Sequence, residues 1–338
     1  MISPTEFVAL IVAGLTGLLS PFVIRPMLRR MMVIDIPNER SSHVKPTVRG
    51  LGLAQLLAVI VGTTVLLVVL PWAPDGRVVP LVIGGGVAAS VLGFADDRSS
   101  ELSALLRLIL QLVIGGLVGV GCVVLFAVSW WFAVVIAIIV CGYINAVNFM
   151  DGINGISGLH GLVVGVCFAA LGGIAHQHWL TLIGLLIAVA YVVFLPWNFR
   201  KPGAFLGDVG SYLLGALIAA SAVAAACAGV PVLAVLAPTA IYLTDTTTAV
   251  VRRAITGANI FQAHRSHTYQ RLIDCGLSHL ATSLIVAGFS AVTGALGILL
   301  TLGLWPVGWC VAAMVMVCLA YKLLPVVRNG SGWVKRRK

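Results

Sequence analysis

Residues Asn145 to Leu159 read N-A-V-N-F-M-D-G-I-N-G-I-S-G-L and lie between two long apolar runs. One carboxylate, Asp151, stands between two carboxamides, Asn148 and Asn154, and the glycines Gly152, Gly155 and Gly158 punctuate the stretch. Such groups are costly inside hydrocarbon and suited to a membrane surface. Glycine lets the backbone turn and approach a ligand closely, while Asp and Asn offer hard oxygens to a divalent cation. An ordinary turn with helix caps carries the same residue types, so the reading depends on what surrounds this stretch.

The surroundings are those of a membrane protein. The chain has 338 residues, 60% hydrophobic and only 9% charged, with a mean hydropathy of +1.09, against about a quarter charged in soluble proteins. Apolar runs of about 17 to 25 residues, the length a bilayer core requires, recur about eleven times. They fall near 6–27, 51–71, 78–95, 104–126, 130–147, 156–175, 179–197, 209–229, 231–250, 281–303 and 306–324. No basic residue precedes the first run, which separates it from a secretory signal. Seven cysteines are scattered without zinc-ligand spacing or a disulfide framework and read as small core residues.

Charge orients the chain. If alternate loops are cytoplasmic, that side receives every basic residue except Arg77, out of 21, as the positive-inside bias demands. The expected fold is therefore all-α, a polytopic integral membrane protein of 10 to 11 helices, N-terminus periplasmic and C-terminus cytoplasmic. It forms a single domain over 1–338, with functional cytoplasmic loops at about 29–50, 96–103, 148–156, 198–208 and 251–280. The outer loops are short and nearly featureless.

The same bias does not explain why acidic residues gather on the inner face too: Asp35, Glu39, Asp96, Asp97, Glu101, Asp151, Asp208 and Asp274. Asp96 and Asp97 close one span, with Ser99 or Ser100 placed to cap the next. They read either as a solvated helix cap or as paired carboxylates able to take a proton or hold a cation. Asp208, between Gly207 and Gly210 at a helix start, is favoured there by the helix dipole in any case. With a magnesium ion bound, Asp208 and the Asn148/Asp151 group could share it, since that ion takes one or two protein oxygens plus substrate phosphates. His264, Arg265, His267 and Arg271 crowd a loop of about 30 residues and suit a phosphate cradle. A basic amphipathic helix on lipid headgroups is the plainer alternative. The first loop adds Arg40, His43, Lys45 and Arg49 among turn-forming Pro and Gly, a plausible lid over an anionic ligand. Acidic metal-type groups and basic phosphate-type groups on one face are the inventory of phosphoryl transfer, and membrane burial suggests a lipid substrate.

Five stretches together resemble the polyprenyl-phosphate N-acetylhexosamine-1-phosphate transferase family, within which the histidine stretch looks closest to the bacterial O-antigen initiators. They are D-x-P-N-E-R-S-S-H-x-x-P-T-x-R-G, the Asp96-Asp97 pair, N-A-V-N-F-M-D-G-I-N-G, F-L-G-D-V-G-S and H-R-S-H-x-Y-Q-R, in family order over 35–271. The resemblance implies a Mg²⁺ site (Mn²⁺ as a substitute) on Asn148 and Asp208. It implies catalytic roles for Asp96, Asp97 and Asp151, and uracil contacts from Asn154 and Phe205, with Lys45 a weaker nucleotide contact. His264, Arg265, His267 and Arg271, with Arg49, would hold the nucleotide-sugar phosphates. The implied partners are undecaprenyl phosphate, a UDP-N-acetylhexosamine (GlcNAc, or a 6-deoxy sugar such as FucNAc or QuiNAc) and the lipid bilayer, with no nucleic acid. The implied reaction releases UMP in the bacterial inner membrane, as the first step of O-antigen or another lipopolysaccharide or envelope glycan. Two departures stand out: Val48 and Leu51 replace a usual Pro and Gly, and the run of adjacent histidines of the peptidoglycan enzymes is missing.

The rival readings are a secondary transporter and a non-catalytic lipid-binding protein. A transporter places charge near the bilayer midplane, and Asp245 is the one acidic residue suited to that. A buried contact with Arg252 or Arg253 is the other expectation for it. The G-x-x-x-G at Gly115 and Gly119 permits helix packing within one chain or in a homodimer.

Overall fold

The computed structural model describes residues 2–35, 46–69, 74–99, 102–200, 203–257 and 267–330. The chain opens with α1 (Pro4–Leu19) and α2 (Pro21–Arg30), one apolar segment that breaks at Ser20 before Pro21. Strand β1 (Ile34–Asp35) pairs antiparallel with β2 (Thr47–Val48), Ile34 opposite Val48. Then follow α3 (Leu53–Val69), α4 (Val78–Arg98), α5 (Ala104–Phe126), α6 (Trp131–Met150) and α7 (Ile156–Ile174). Next are α8 (His178–Val192) with its short continuation α9 (Leu195–Phe199), and α10 (Gly207–Cys227). Helix α11 (Val232–Leu236) passes through a 3-10 turn at Ala237–Thr239 into α12 (Ala240–Ile255). The chain closes with α13 (Thr268–Asp274), α14 (His279–Thr301) and α15 (Val307–Gly330).

Ten helical segments among the described residues are long and apolar enough to cross a membrane, and Leu53–Val68 is a shorter apolar helix. These match the eleven apolar runs of the sequence. The ninth is not one smooth helix: Pro238, which has no amide proton to donate, falls at the turn between α11 and α12.

Helix α10 is the axis of the bundle, buried over 94% of its most apolar window, whereas α15 is buried over 22%. Its sequence explains this: small Gly, Ala and Ser residues let neighbouring backbones approach closely. A Cβ at Gly86 or Gly93 of α4 would collide with α10, and one at Gly215 of α10 would meet the backbone of Ile144 on α6. On α5, Gly115 and Gly119 pack on Ala137 and Ala133 of α6. The G-x-x-x-G thus serves packing within the chain. The cap of α5 also differs from expectation: Ser103 accepts the Leu106 N–H, while Ser99 ends α4 and donates to the Ala95 carbonyl. This packing gathers at one end of the bundle the last turn of α4, the last turn of α6 and the first turn of α10.

Candidate active site

The site is built on the N-terminus of α10. Gly207 has φ +75°, where an L side chain is strained, and a Cβ there would lie 2.5 Å from Asp97 Oδ2. The first amides of α10 have no side-chain cap of their own. Asp97 supplies one from α4: its carboxylate accepts the N–H groups of Asp208 at 3.0 Å and Val209 at 2.9 Å. A carboxylate at a helix start is favoured by the unpaired amides and the dipole. Arg49 closes the cluster, its Nε 2.6 Å from Asp97 Oδ1 and its Nη2 2.8 Å from Asp208 Oδ2. Burial would lower the affinity of this guanidinium for its proton, but Asp208 and Asp97 outweigh it and hold Arg49 above its ordinary range.

The approach to Arg49 is also settled. Phe205 N–H donates to the Val48 carbonyl (2.8 Å), Leu51 N–H to that of Phe205 (3.0 Å), and Gly52 N–H to that of Leu206 (2.8 Å). Val48 and Leu51 are both buried. With Val48 and Leu51 in place of the usual Pro and Gly, the backbone is therefore stitched to the segment before α10.

Asp96 reaches the Asp208 side chain as well. Its Oδ2 takes Arg107 Nη1 from α5 at 2.8 Å and the Tyr212 hydroxyl from α10 at 3.1 Å. Asn148 Nδ2, in the last turn of α6, donates to Asp208 Oδ1 at 2.7 Å and to Ser211 Oγ at 3.1 Å. The adjacent Asp96 and Asp97 thus do different work. Asp97, with its side chain fully buried, caps the start of α10 and pairs with Arg49.

Asn148 and Asp208 fit a divalent cation by their chemistry: a carboxylate and a carboxamide, each carrying a hard oxygen, are adjacent, with the Asn148 nitrogen turned to Asp208 Oδ1. Among the described residues no three His, Cys, Asp or Glu side chains form a self-sufficient cage.

Asp151 is the C-cap of α6, and Ser157 Oγ donates to its Oδ1 at 2.6 Å. Burial pushes this carboxyl up, the Ser157 hydroxyl pulls it down, and the charge of Asp208 adds to the rise; the result is about 7. Beyond it Gly155, at φ +92°, donates its N–H to Asn198 Oδ1, whose Nδ2 donates to the Ala204 carbonyl at 3.0 Å. Asn154 is gripped by its backbone: its N–H meets His279 Nδ1 at 3.3 Å and its carbonyl accepts Ser283 Oγ at 2.9 Å. A Cβ on Gly203 would lie 3.5 Å from Asn154 Nδ2. The Asn154 amide and the segment that leads through Gly203 to Phe205 are therefore neighbours.

His267 is buried at the start of α13, its ring 6.4 Å from that of Phe149 on α6. Tyr269 donates to the Phe149 carbonyl at 3.1 Å. Arg271 is half-buried one turn further on. Lys45, His264 and Arg265 lie outside the described residues. Asp245 pairs with Lys322 of α15 at 2.9 Å, not with Arg252 or Arg253: those lie two turns along α12, toward its exposed end.

A cavity of about 1020 Å³ opens below this cluster between α5, α6, α10 and α12. Arg107, Asn148, Tyr212 and His267 line one part, and residues such as Leu112, Ile139 and Ile218 the rest. Leu112, Ile138 and Ile139 are both lining and exposed, so the cavity opens onto the outside of the bundle.

Sequence reasoning passed over Arg107, Tyr212 and Ser157 as functional residues. The available signal was position: a charge or hydroxyl in the first turn or two of an apolar helix, next to a polar loop.

The fold and the site define an integral membrane protein with a polar cluster at the mouth of an apolar groove. A sequence profile of glycosyl transferase family 4 matches residues 79–226, which hold Asp96, Asp97, Asn148, Asp151 and Asp208. A phospho-N-acetylmuramoyl-pentapeptide-transferase of Halalkalibacterium halodurans is 31% identical over 244 residues, 62% of this chain and 72% of that protein. The decaprenyl-phosphate N-acetylglucosaminephosphotransferase of Mycobacterium tuberculosis H37Rv is 29% identical over 305 residues, 78% of this chain and 74% of the relative. A probable undecaprenyl-phosphate N-acetylglucosaminyl 1-phosphate transferase of Bacillus subtilis is 27% identical over 301 residues, covering 83% and 82%. The chain belongs to glycosyl transferase family 4, the family of these polyprenyl-phosphate sugar phosphotransferases.

Proposed function

We propose that this protein transfers an N-acetylhexosamine 1-phosphate from a UDP-sugar to a polyprenyl phosphate, undecaprenyl phosphate in a bacterial inner membrane. A lipid phosphate oxygen attacks the β-phosphorus, the bond from that phosphorus to the bridging oxygen breaks, and UMP leaves with the bridging oxygen. The product is a polyprenyl-diphosphate sugar, the start of an envelope glycan such as O-antigen. One observation carries the reading: an apolar cavity open to the outside of the bundle ends at Arg107, Asn148 and Tyr212, beside Asp208. An isoprenoid tail suits the cavity, whose volume is at the upper end of the ~300–1,000 Å³ of ordinary ligand pockets.

The chain's own groups divide the work. Arg107 and Tyr212 hold Asp96 at the mouth of the cavity, where Arg107 can pair with the lipid phosphate. Asp97 and Arg49 hold the α10 start that carries Asp208. Asp151, with its carboxyl at about 7, can take a proton from the attacking phosphate near neutral pH. Asn154 and Phe205 lie on neighbouring segments and would receive the uracil, with His267 and Arg271 toward the diphosphate. Mg²⁺ held by Asn148 and Asp208 would neutralise charge on the phosphate oxygens. The polar face is cytoplasmic by the distribution of basic residues.

The transporter reading loses its candidate, because the Asp245 carboxylate is fully buried and already engaged by Thr268, Tyr321 and Lys322. The deciding experiment measures UMP release by purified protein with undecaprenyl phosphate and a panel of UDP-HexNAc sugars, with Mg²⁺ and with EDTA. Release that needs both the lipid and Mg²⁺ is expected; none with any sugar, from folded protein, would remove the transferase reading.

A further inference from the structure

A fully buried carboxylate on a membrane helix is expensive and calls for a reason. Asp245 of α12 has 0% of its side chain exposed. Its Oδ1 accepts the Thr268 N–H at 2.8 Å, the Thr268 hydroxyl at 2.9 Å and Lys322 Nζ at 2.9 Å. Its Oδ2 accepts the Tyr321 hydroxyl at 2.8 Å and shares the Thr268 N–H at 3.0 Å. These contacts fill the acceptor sites of a carboxylate. The donors come from two places distant in sequence, the first residue of α13 and a pair on α15.

What this knot holds is the first turn of α13. The amides of a helix start have no partners inside the helix, and Thr268, the first residue of α13, gives its N–H to Asp245. The next residue, Tyr269, ties α13 to the end of α6 through the Phe149 carbonyl. The residue before, His267, lines the cavity together with Asn148 and Phe149. His267 thus directly precedes an anchor to α12 and an anchor to α6. Helix α15 is the least buried of the spanning segments, yet it supplies two of the donors. Stability alone is a poor account of such a carboxylate, since apolar side chains of the same volume often stabilise as well as a buried ion pair.

We propose that Asp245 is a positioning residue that sets His267 against the Asn148 end of the site, and that Lys322 and Tyr321 of α15 hold Asp245 in place. The kinetic part rests on the transferase reading; the anchoring part does not. The pair Asp245→Asn and Lys322→Met tests it in two ways on the purified full-length protein. Without substrates, hydrogen exchange at the Thr268 amide should quicken about tenfold or more in Asp245→Asn, with α14 amides unchanged. In turnover, the KM for the UDP-sugar should rise roughly tenfold to a hundredfold, the range found when a supporting group behind a functional residue is lost. The KM for the lipid phosphate should stay within about twofold, and Lys322→Met should give a smaller change of the same pattern.

Unchanged exchange at Thr268 would overturn the anchor. Faster exchange with both KM values intact, or activity that falls only with the folded fraction, would leave Asp245 a purely structural residue and overturn the positioning role. Should Asp245→Asn not fold, Lys322→Met decides by the same two readouts. Failure of the wild type to turn over any sugar would end the transferase reading and the kinetic part with it, while exchange at Thr268 still decides the anchor.

Discussion

Removing the Ser157 hydroxyl isolates the one hydrogen bond that holds Asp151 down. Ser157 Oγ lies 2.6 Å from Asp151 Oδ1, and a hydrogen bond to a charged group is worth about 1.5–3 kcal/mol. At 1.36 kcal/mol per pKa unit, losing it should raise the carboxyl by about one to two units, from about 7 to roughly 8–9. Below its pKa this carboxyl is protonated and cannot accept a proton, so activity should fall on the acid side. In the wild type the acid limb of kcat/KM should lie near pH 7, and in Ser157→Ala it should move up by about one to two units. At pH 7 the ionised fraction drops from about a half to about a tenth or less, with activity following it, and the two proteins converge at high pH. UMP release measured from pH 5.5 to 10 reads this directly. An unmoved limb in a folded variant, or the same fractional loss at every pH, would refute the assignment of Asp151 as the titrating group. The same raised pKa predicts a linkage effect. Stability present at about pH 4 is lost as the pH rises through about 7, and Asp151→Asn should weaken that dependence in thermal melts, leaving the share that the likewise raised Asp97 contributes.

Four further expectations follow from the geometry. Gly207→Ala forces a side chain onto φ +75° with its Cβ 2.5 Å from Asp97 Oδ2; a loss of about 1–3 kcal/mol should appear as a lower melting temperature. Gly142 lines the cavity and has open space around its Cβ position. Gly142→Leu should therefore fold normally while raising the KM for the lipid about tenfold and leaving UDP-sugar binding unchanged, and equal KM values would argue against the cavity as the lipid site. Arg107→Gln should weaken use of the lipid phosphate by roughly ten- to a hundredfold, with partial recovery in Arg107→Lys, read as kcat/KM at varied lipid. Asp208→Ala should abolish turnover in protein that still folds and inserts, and retained activity would remove Asp208 from the site.

Much of the fold was legible in one dimension. Hydropathy is a property of consecutive residues, so the apolar runs found in the sequence reappear as ten long helices and the shorter Leu53–Val68. The polar stretches around Asp96, Asn148 and Asp208 were equally visible, because carboxylates and carboxamides stand out where hydrocarbon surrounds them. Their division of labour was not. Adjacent Asp96 and Asp97 look alike in the sequence, yet one faces Arg107 and Tyr212 and the other caps α10. Both lie in the last turn of α4, where successive side chains leave the helix about 100° apart, and the packing of α4 on α10 gives each its own partners.

The sequence by itself determined the class of protein, the order of its spanning helices and the loops that carry the chemistry, because each depends on local composition. Only the tertiary structure decided the partners. Asp97 finds the Asp208 amide 111 positions away, and Asp245 finds Lys322 at a separation of 77 rather than the arginines on its own helix. Those distances are bridged by glycine and alanine faces that let α10 sit against α4 and α6, and by an end-on docking of α13 that no periodicity in its seven residues announces. Side-chain periodicity states which face of a helix is buried; it does not state against what.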